Sequence, residues 1–221
     1  MSSTRRIAAS RPARADLSSG DTAVVFDVGN VLYDWDPRVL YGRLIKDDRA
    51  LDAFLRDVAT KEWHFQHDAG RPFAETSAEL SAQYPHYADM IALWGPRFND
   101  QVPGMLPGMQ AMVAELDARG VPLFAITNFS GEFWPPFRAR EAATFDRFRD
   151  IVVSGDEKLT KPDAAIYHLA LERFGLRPEQ AVFVDDREEN IVGARNVGMT
   201  GLLFTDAVTL RSDLVRLGLL A

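Results

Sequence analysis

The sequence predicts an α/β protein: a doubly wound, mainly parallel sheet with an inserted helical cap. Three observations predict it. Five short apolar runs, rich in Val, Ile, Leu and Phe, lack the polar alternation of half-exposed strands, and so read as strands buried on both faces of a parallel sheet. Helical patterns closed by glycine separate the later runs, which is the order that right-handed crossovers produce. One long stretch, residues 37–99, carries helical patterns and no convincing strand.

Each element has its own signal. Residues 1–20 hold four arginines, one acid (Asp16) and many Ser and Ala without an apolar period. Such a start can imitate an organelle transit peptide, and the plainer expectation is a disordered tail. The first strand is expected at 23–26. Residues 37–99 follow as the cap, with helical patterns at 37–45, 49–58, 73–83 and 87–98. An insertion at this point lies beyond the carboxyl ends of the parallel strands, the edge where open α/β sheets bind ligands. A helix over 109–119 carries Met109, Met112, Val113 and Leu116 at helical spacing and stops at Gly120. Strands at 121–127, 151–153, 181–184 and 201–204 follow, with helices at 163–174 and 190–197 stopping at Gly175 and Gly198. Residues 21–36 and 100–221 thus form a Rossmann-like core.

Composition bounds the function. A chain of 221 residues, 47% apolar, can bury a large core without staples. It has no Cys, which excludes disulfides, thiolate zinc sites and a cysteine nucleophile, and fits a reducing, cytoplasmic setting. A formal charge of -7 argues against a nucleic-acid partner held by bulk positive charge. The clean apolar runs are too short to span a bilayer, so no membrane partner is expected.

Four clusters can do chemistry. The run Phe26-Asp27-Val28-Gly29-Asn30 places a carboxylate at the end of a buried strand, where it can be a nucleophile, a metal ligand or the cap of a turn. Thr127-Asn128 ends the next strand with a hydroxyl and backbone N–H groups able to hold an anionic oxygen, or to make an ordinary turn. Lys161-Pro162-Asp163 offers a cation before a helix, or a solvated lysine. Asp185-Asp186, in a run extending to Asn190, sets two acids side by side. Such a pair repels itself unless a cation or a proton is shared, and hard oxygen donors favour Mg²⁺.

In the order strand-Asp, strand-Thr, Lys-Pro, strand-Asp-Asp, these clusters resemble the haloacid dehalogenase-like (HAD) hydrolase superfamily across 22–221. The runs Phe26–Pro37, Leu159–Tyr167 and Asp185–Asn190 are similar to its bacterial phosphatase branch, which includes glucose-1-phosphate phosphatases. The resemblance implies a Mg²⁺-dependent phosphatase acting on a small phosphate ester, such as a sugar phosphate, through an aspartyl-phosphate. It casts Asp27 as nucleophile, Thr127 and Asn128 as phosphoryl ligands, and Lys161 as the cation steadying nucleophile and substrate. Asp27, the Gly29 carbonyl and Asp186 would hold Mg²⁺, with Asp185 and Asn190 as further candidates.

Gly29 departs from the pattern. Most phosphatases resembling this chain carry an Asp there, as general acid to the leaving oxygen and base to the water. Loss of such a group costs roughly 10²- to 10⁴-fold. Either His64 or His67 of the cap supplies the proton, or the leaving group needs less help, or turnover is poor. A 2-haloacid dehalogenase would need neither proton nor metal. However, Asp27, Asp185 and Asp186 against Lys161 would repel a bare haloacid carboxylate. A third alternative is a protein that binds phosphate ligands without turnover.

Overall fold

The computed structural model describes residues 21–221; the tail expected over residues 1–20 lies outside the described residues. The chain opens with β1 (Ala23–Phe26), followed by the short β2 (Tyr33–Asp34). It then runs through α1 (Pro37–Tyr41), α2 (Asp48–Ala53), a π-helical turn (Phe54–Val58), α3 (Lys61–Asp68), α4 (Phe73–Gln83) and α5 (Ala88–Ala92). After β3 (Gly104–Met105) come α6 (Met109–Ala118), β4 (Leu123–Thr127), α7 (Trp134–Arg140), α8 (Ala142–Phe145) and β5 (Asp150–Val153). The remainder is α9 (Ser154–Glu157), α10 (Ala164–Phe174), β6 (Ala181–Asp185), α11 (Glu188–Asn196), β7 (Thr200–Leu203) and α12 (Ala207–Arg216). No helix among the described residues is long and apolar enough to cross a membrane.

The five-stranded sheet has the order β5-β4-β1-β6-β7 and every pairing is parallel. The order reverses at β1, so the carboxyl ends of β1, β4 and β6 open side by side onto one crevice. Register makes this concrete: Phe26 lies opposite Ala125 on one side and Val184 on the other. Each strand therefore delivers its polar residue (Asp27, Thr127, Asp185) to the same rim.

Period-2 alternation divides the core into two layers. Val24, Phe26, Leu123, Ala125 and Val184 face α6 and α12 through Met109, Met112, Val113, Leu116, Leu210 and Leu214. Val25, Phe124, Ile126 and Phe183 face α10 and α11 through Ile166, Tyr167, Ala170, Leu171, Ile191 and Ala194. Both faces of β1, β4 and β6 are buried, as the sequence implies. The edge strands differ: β5 begins half-buried and β7 is exposed at both ends, at Thr200 and Leu203, because an edge strand lacks a neighbour on one side.

The segment between β1 and α6 is helical, as expected, but it is tied at its stem by an antiparallel ribbon absent from the sequence reading. Tyr33 pairs with Met105 and Asp34 with Gly104. The Asp36 N–H donates to the Gln101 carbonyl at 2.9 Å, closing the same seam. Helix boundaries inside the segment also differ. The pattern at 37–45 gives helix only to Tyr41, 49–58 changes to a π-helical turn after Ala53, and 87–98 keeps α-helix only at Ala88–Ala92.

Five further helices of at least a turn had no expectation, the short α9 among them. In α3 the buried residues are Trp63, His64, His67 and Asp68, a correct helical spacing written in polar and aromatic residues rather than aliphatic ones. In α7, Pro135 and Pro136 look like breakers but occupy the first turn, where no backbone donor is needed. In α12, Asp206 caps the start by accepting from the Val208 and Thr209 N–H groups at 2.8 and 2.9 Å. The short α8 packs Phe145 against Trp134 and Phe137 of α7.

Candidate active site

Asp27 leaves the end of β1 in a tight turn, in which Asn30 takes a left-handed φ of 57° and the Tyr33 N–H donates to the Val28 carbonyl at 2.9 Å. The Asp27 carboxylate accepts from the Val28 N–H at 2.7 Å and from Lys161 Nζ at 2.9 Å, both at Oδ1. Lys161 also reaches Asp185 Oδ2 at 2.7 Å. Its side chain is completely buried, so this is no solvated lysine. Burial works against its charge, and the two carboxylates outweigh burial and raise its pKa. The Lys161–Pro162 peptide bond is cis.

Asn128 holds that lysine by its backbone. Its Oδ1 accepts from the Lys161 N–H at 2.9 Å and its Nδ2 donates to the Lys161 carbonyl at 3.1 Å. The Asn128 side chain is thus spent on positioning. Thr127 lies beside it, with a buried hydroxyl that has no protein partner. Asp185 is fully buried and saturated with donors: Oδ1 accepts from the Arg187 N–H and Asn190 Nδ2, each at 2.9 Å, and Oδ2 from Asn190 Nδ2 at 3.0 Å as well as from Lys161. Asn190 is held in turn by Tyr167, whose hydroxyl donates to the Asn190 carbonyl at 2.8 Å.

Asp27, Asp185 and Asp186 offer carboxylate oxygens within 4.8 Å of one another. One ammonium does not balance three carboxylates. Burial pushes the Asp27 carboxyl above its ordinary range; Lys161 pulls it back and Asp185 pushes it further up. Burial, then the Asp185 charge, raise Asp186 as well. Hard oxygen donors in excess of the local positive charge fit a divalent cation such as Mg²⁺.

Asp27, Asp186, Lys161 and Asn128 line a cavity of about 140 Å³, which continues past Lys161 and Asp186 into a groove of about 610 Å³. Its walls come from the strand-end loops and from the helical insertion. Tyr33, Trp35, Phe98, Phe129 and Phe137 make one side apolar, while Lys61 and Arg187 flank the groove. Trp35, and Phe137 within α7, thus wall the cavity while packing against aromatic neighbours.

The two histidines part company. His64 lines the cavity, stacked on Trp35 at 4.7 Å between ring centres, with Nδ1 accepting from Trp94 Nε1 at 3.1 Å. His67 is fully buried against Thr76, 2.6 Å from Nε2 to Oγ1, and does not reach the cavity wall. Burial pushes His64 down to about 3 and His67 to about 4, so neither carries an extra proton near neutrality. Of the two, His64 alone reaches the cavity.

Sequence reasoning passed over Asp68, which lines both the cavity and the groove. Its Oδ2 is 3.7 Å from His64 Nε2, and its Oδ1 is buried with no hydrogen-bond partner. Burial first, and the Asp27 charge next, push its carboxyl up to about 8, against Lys161 and the Ser130 N–H. Its helical spacing from the buried Trp63 and His64 was the available signal.

Comparison with known proteins gives four likenesses. The family model described as haloacid dehalogenase-like hydrolase matches residues 22–198. A sesquiterpene phosphatase of Aspergillus oryzae is 28% identical over 201 residues, which span 88% of this chain and 95% of that protein. A ribulose-1,5-bisphosphate 5-phosphatase of Halopiger xanaduensis is 26% identical over 205 residues, 83% of this chain and 84% of that protein. Among solved structures, a magnesium complex of a HAD family enzyme from Bacteroides thetaiotaomicron superposes with a TM-score of 0.65. It is 20% identical and the match covers 89% of this chain and 99% of that one, a likeness of fold.

Proposed function

The chain belongs to the haloacid dehalogenase-like hydrolase family, and on that premise we propose that it is a Mg²⁺-dependent phosphatase working through an aspartyl-phosphate. One observation carries the reading. A single buried ammonium, Lys161, bridges Asp27 and Asp185 at 2.9 and 2.7 Å at the sheet edge, with Asp186 beside them. Phosphatases among the relatives support the same chemistry.

Asp27 is the nucleophile. Its Oδ1 takes both protein donors, so Oδ2 is the oxygen that attacks phosphorus. Lys161 favours the ionised carboxylate against burial and draws charge from the transferring phosphoryl group. The unpartnered Thr127 hydroxyl supplies a donor for a phosphoryl oxygen; Asn128 contributes through its backbone, its side chain being committed to Lys161. Asp27, the Gly29 carbonyl and Asp186 would hold Mg²⁺, which when bound offsets the repulsion between carboxylate and phosphate. Asp185, with its oxygens already occupied by donors, serves to hold Lys161. Residues 37–99 act as a cap, and Trp35, His64 and Phe98 wall the substrate.

The substrate is a small phosphorylated metabolite. The aromatic wall supports an alcohol with an apolar face over a polyol such as a sugar. The reading places the enzyme in the cytoplasm, which cell fractionation checks.

The test is phosphate release from 4-nitrophenyl phosphate with Mg²⁺, with chelator, and in Asp27→Asn. Release that needs the metal and vanishes in the variant supports the phosphatase. Chloride release from 2-chloropropionate that ignores chelator means a dehalogenase instead. Neither activity leaves a ligand-binding protein.

A further inference from the structure

The position two residues after Asp27 is Gly29, which has no side chain to give or take a proton. A β-carbon built there would meet nothing within 4 Å, so the gap is real space beside the nucleophile. The leaving alcohol of a phosphate ester needs a proton, and the second half-reaction needs a base for water. Any replacement has to reach the cavity from another element.

We propose that Asp68, at the end of α3, is the general acid and base of this site, standing in for the side chain that Gly29 lacks. The proposal rests on the phosphatase reading. Asp68 shares the cavity wall with Asp27, Gly29 and Lys161 while coming from a different element, α3 of the helical insertion. It is 6% exposed, and its Oδ1 is a buried polar atom without a partner. A carboxyl oxygen buried in that way costs stability unless it holds a proton or meets a ligand.

Its position is fixed from the core. Ser154 Oγ donates to the Asp68 carbonyl at 2.6 Å, and the same oxygen accepts from the Phe129 N–H at 2.9 Å, so the end of α3 is tied to the loop after β4. Two residues on, Gly70 has φ of 89°, and a β-carbon there would lie 2.8 Å from the Gly155 carbonyl. The close approach that fixes this turn therefore requires glycine. A proton donor needs such fixed placement more than it needs an unusual side chain.

The charged and titratable groups around Asp68 are His64 on its own helix, Asp27 from β1 and Lys161 before α10. Burial and the Asp27 charge keep Asp68 protonated near neutrality, whereas His64 is neutral there and already accepts from Trp94 at Nδ1. A neutral imidazole gives up its remaining N–H far less readily than a carboxyl gives up its proton, so Asp68 is the stronger acid of the two.

The step balances. As Asp27 Oδ2 forms its bond to phosphorus, the ester P–O bond breaks and its electron pair goes to the leaving oxygen. That oxygen takes the proton from Asp68. Asp68, now a carboxylate, takes a proton from water as the water oxygen attacks phosphorus. The Asp27 O–P bond then breaks, freeing phosphate, with Asp27 ionised and Asp68 protonated as at the start.

The experiment compares full-length wild type, Asp68→Asn and His64→Gln on two Mg²⁺-supported substrates. One is 4-nitrophenyl phosphate, whose leaving group needs little protonation, and the other is a primary alkyl phosphate. Asp68→Asn is expected to lose roughly 10²- to 10⁴-fold in kcat on the alkyl ester and only a few-fold on the aryl ester. Gly29→Asp placed in the Asp68→Asn background is expected to restore alkyl turnover, since the space is there. Equal losses on both esters, no loss on the alkyl ester, or the selective loss appearing in His64→Gln instead overturns the role of Asp68. Wild type that releases phosphate from neither ester overturns the phosphatase reading, and the role of Asp68 with it.

Discussion

The Asn128 side chain grips the Lys161 backbone at both ends, accepting from its N–H at 2.9 Å and donating to its carbonyl at 3.1 Å. A residue that looks like a ligand for substrate thus aims the lysine that touches the nucleophile. Asn128→Ala is expected to lower kcat on 4-nitrophenyl phosphate by about 10²-fold, the scale set by misplacing a reacting group by an ångström. Steady-state kinetics read this directly. Unchanged kcat would mean Lys161 is held by its ion pairs alone.

Lys161 stands between two buried carboxylates, and removing it leaves them facing each other. Lys161→Met is expected to destabilise the fold by about 3–5 kcal/mol near pH 8, the usual cost of breaking a buried pair. Asp27 already has a raised pKa from burial and the Asp185 charge, and takes up a proton as pH falls. The cost should therefore shrink towards about pH 5. Urea unfolding of wild type and variant at both pH values measures it; an equal cost at both would contradict the charge argument.

Three carboxylates against one ammonium call for a further cation. Mg²⁺ is expected to raise the melting temperature in a concentration-dependent way, worth about 2.7 kcal/mol at a hundred times Kd. Asp186→Ala is expected to remove most of that shift, while Asp206→Ala, at the cap of α12 and outside the lining of the cavity and groove, is expected to keep it. Thermal scans with and without chelator give the answer.

Asp68 makes stability itself depend on pH. Its folded pKa of about 8 lies above the ordinary carboxyl value, so the folded state binds its proton more tightly than the unfolded chain. The contribution is complete below the unfolded pKa and is lost as pH rises through the folded one. With chelator present, the melting temperature of wild type relative to Asp68→Asn is expected to fall between about pH 5 and pH 9. A difference that stays flat or rises over that window contradicts the shift.

What the sequence made legible was the frame. Asp27, Thr127 and Asp185 each end a run of buried apolar residues, and buried strands announce themselves by composition. The Asp185-Asp186 pair announced a charge problem. Lys161 was ambiguous, since a lone lysine before proline reads equally well as solvated, and only the two carboxylates that surround it in space account for its burial. The side of the site formed by α3 was hidden for another reason. Trp63, His64, His67 and Asp68 have the spacing of a buried helical face, but a search for aliphatic periodicity does not see it. The ribbon of Tyr33–Asp34 and Gly104–Met105 was too short to stand out, and pairs residues some seventy positions apart.

The central claim is that Asp27 carries the phosphoryl group during turnover. Acid quenching of the enzyme in steady state with 4-nitrophenyl phosphate and Mg²⁺, followed by proteolysis and mass spectrometry, tests it most directly. A phosphorylated peptide whose modified residue is Asp27 is expected, absent without metal and absent in Asp27→Asn. Phosphate turnover that persists in Asp27→Asn, or a phosphoryl group recovered on a different residue, would contradict it.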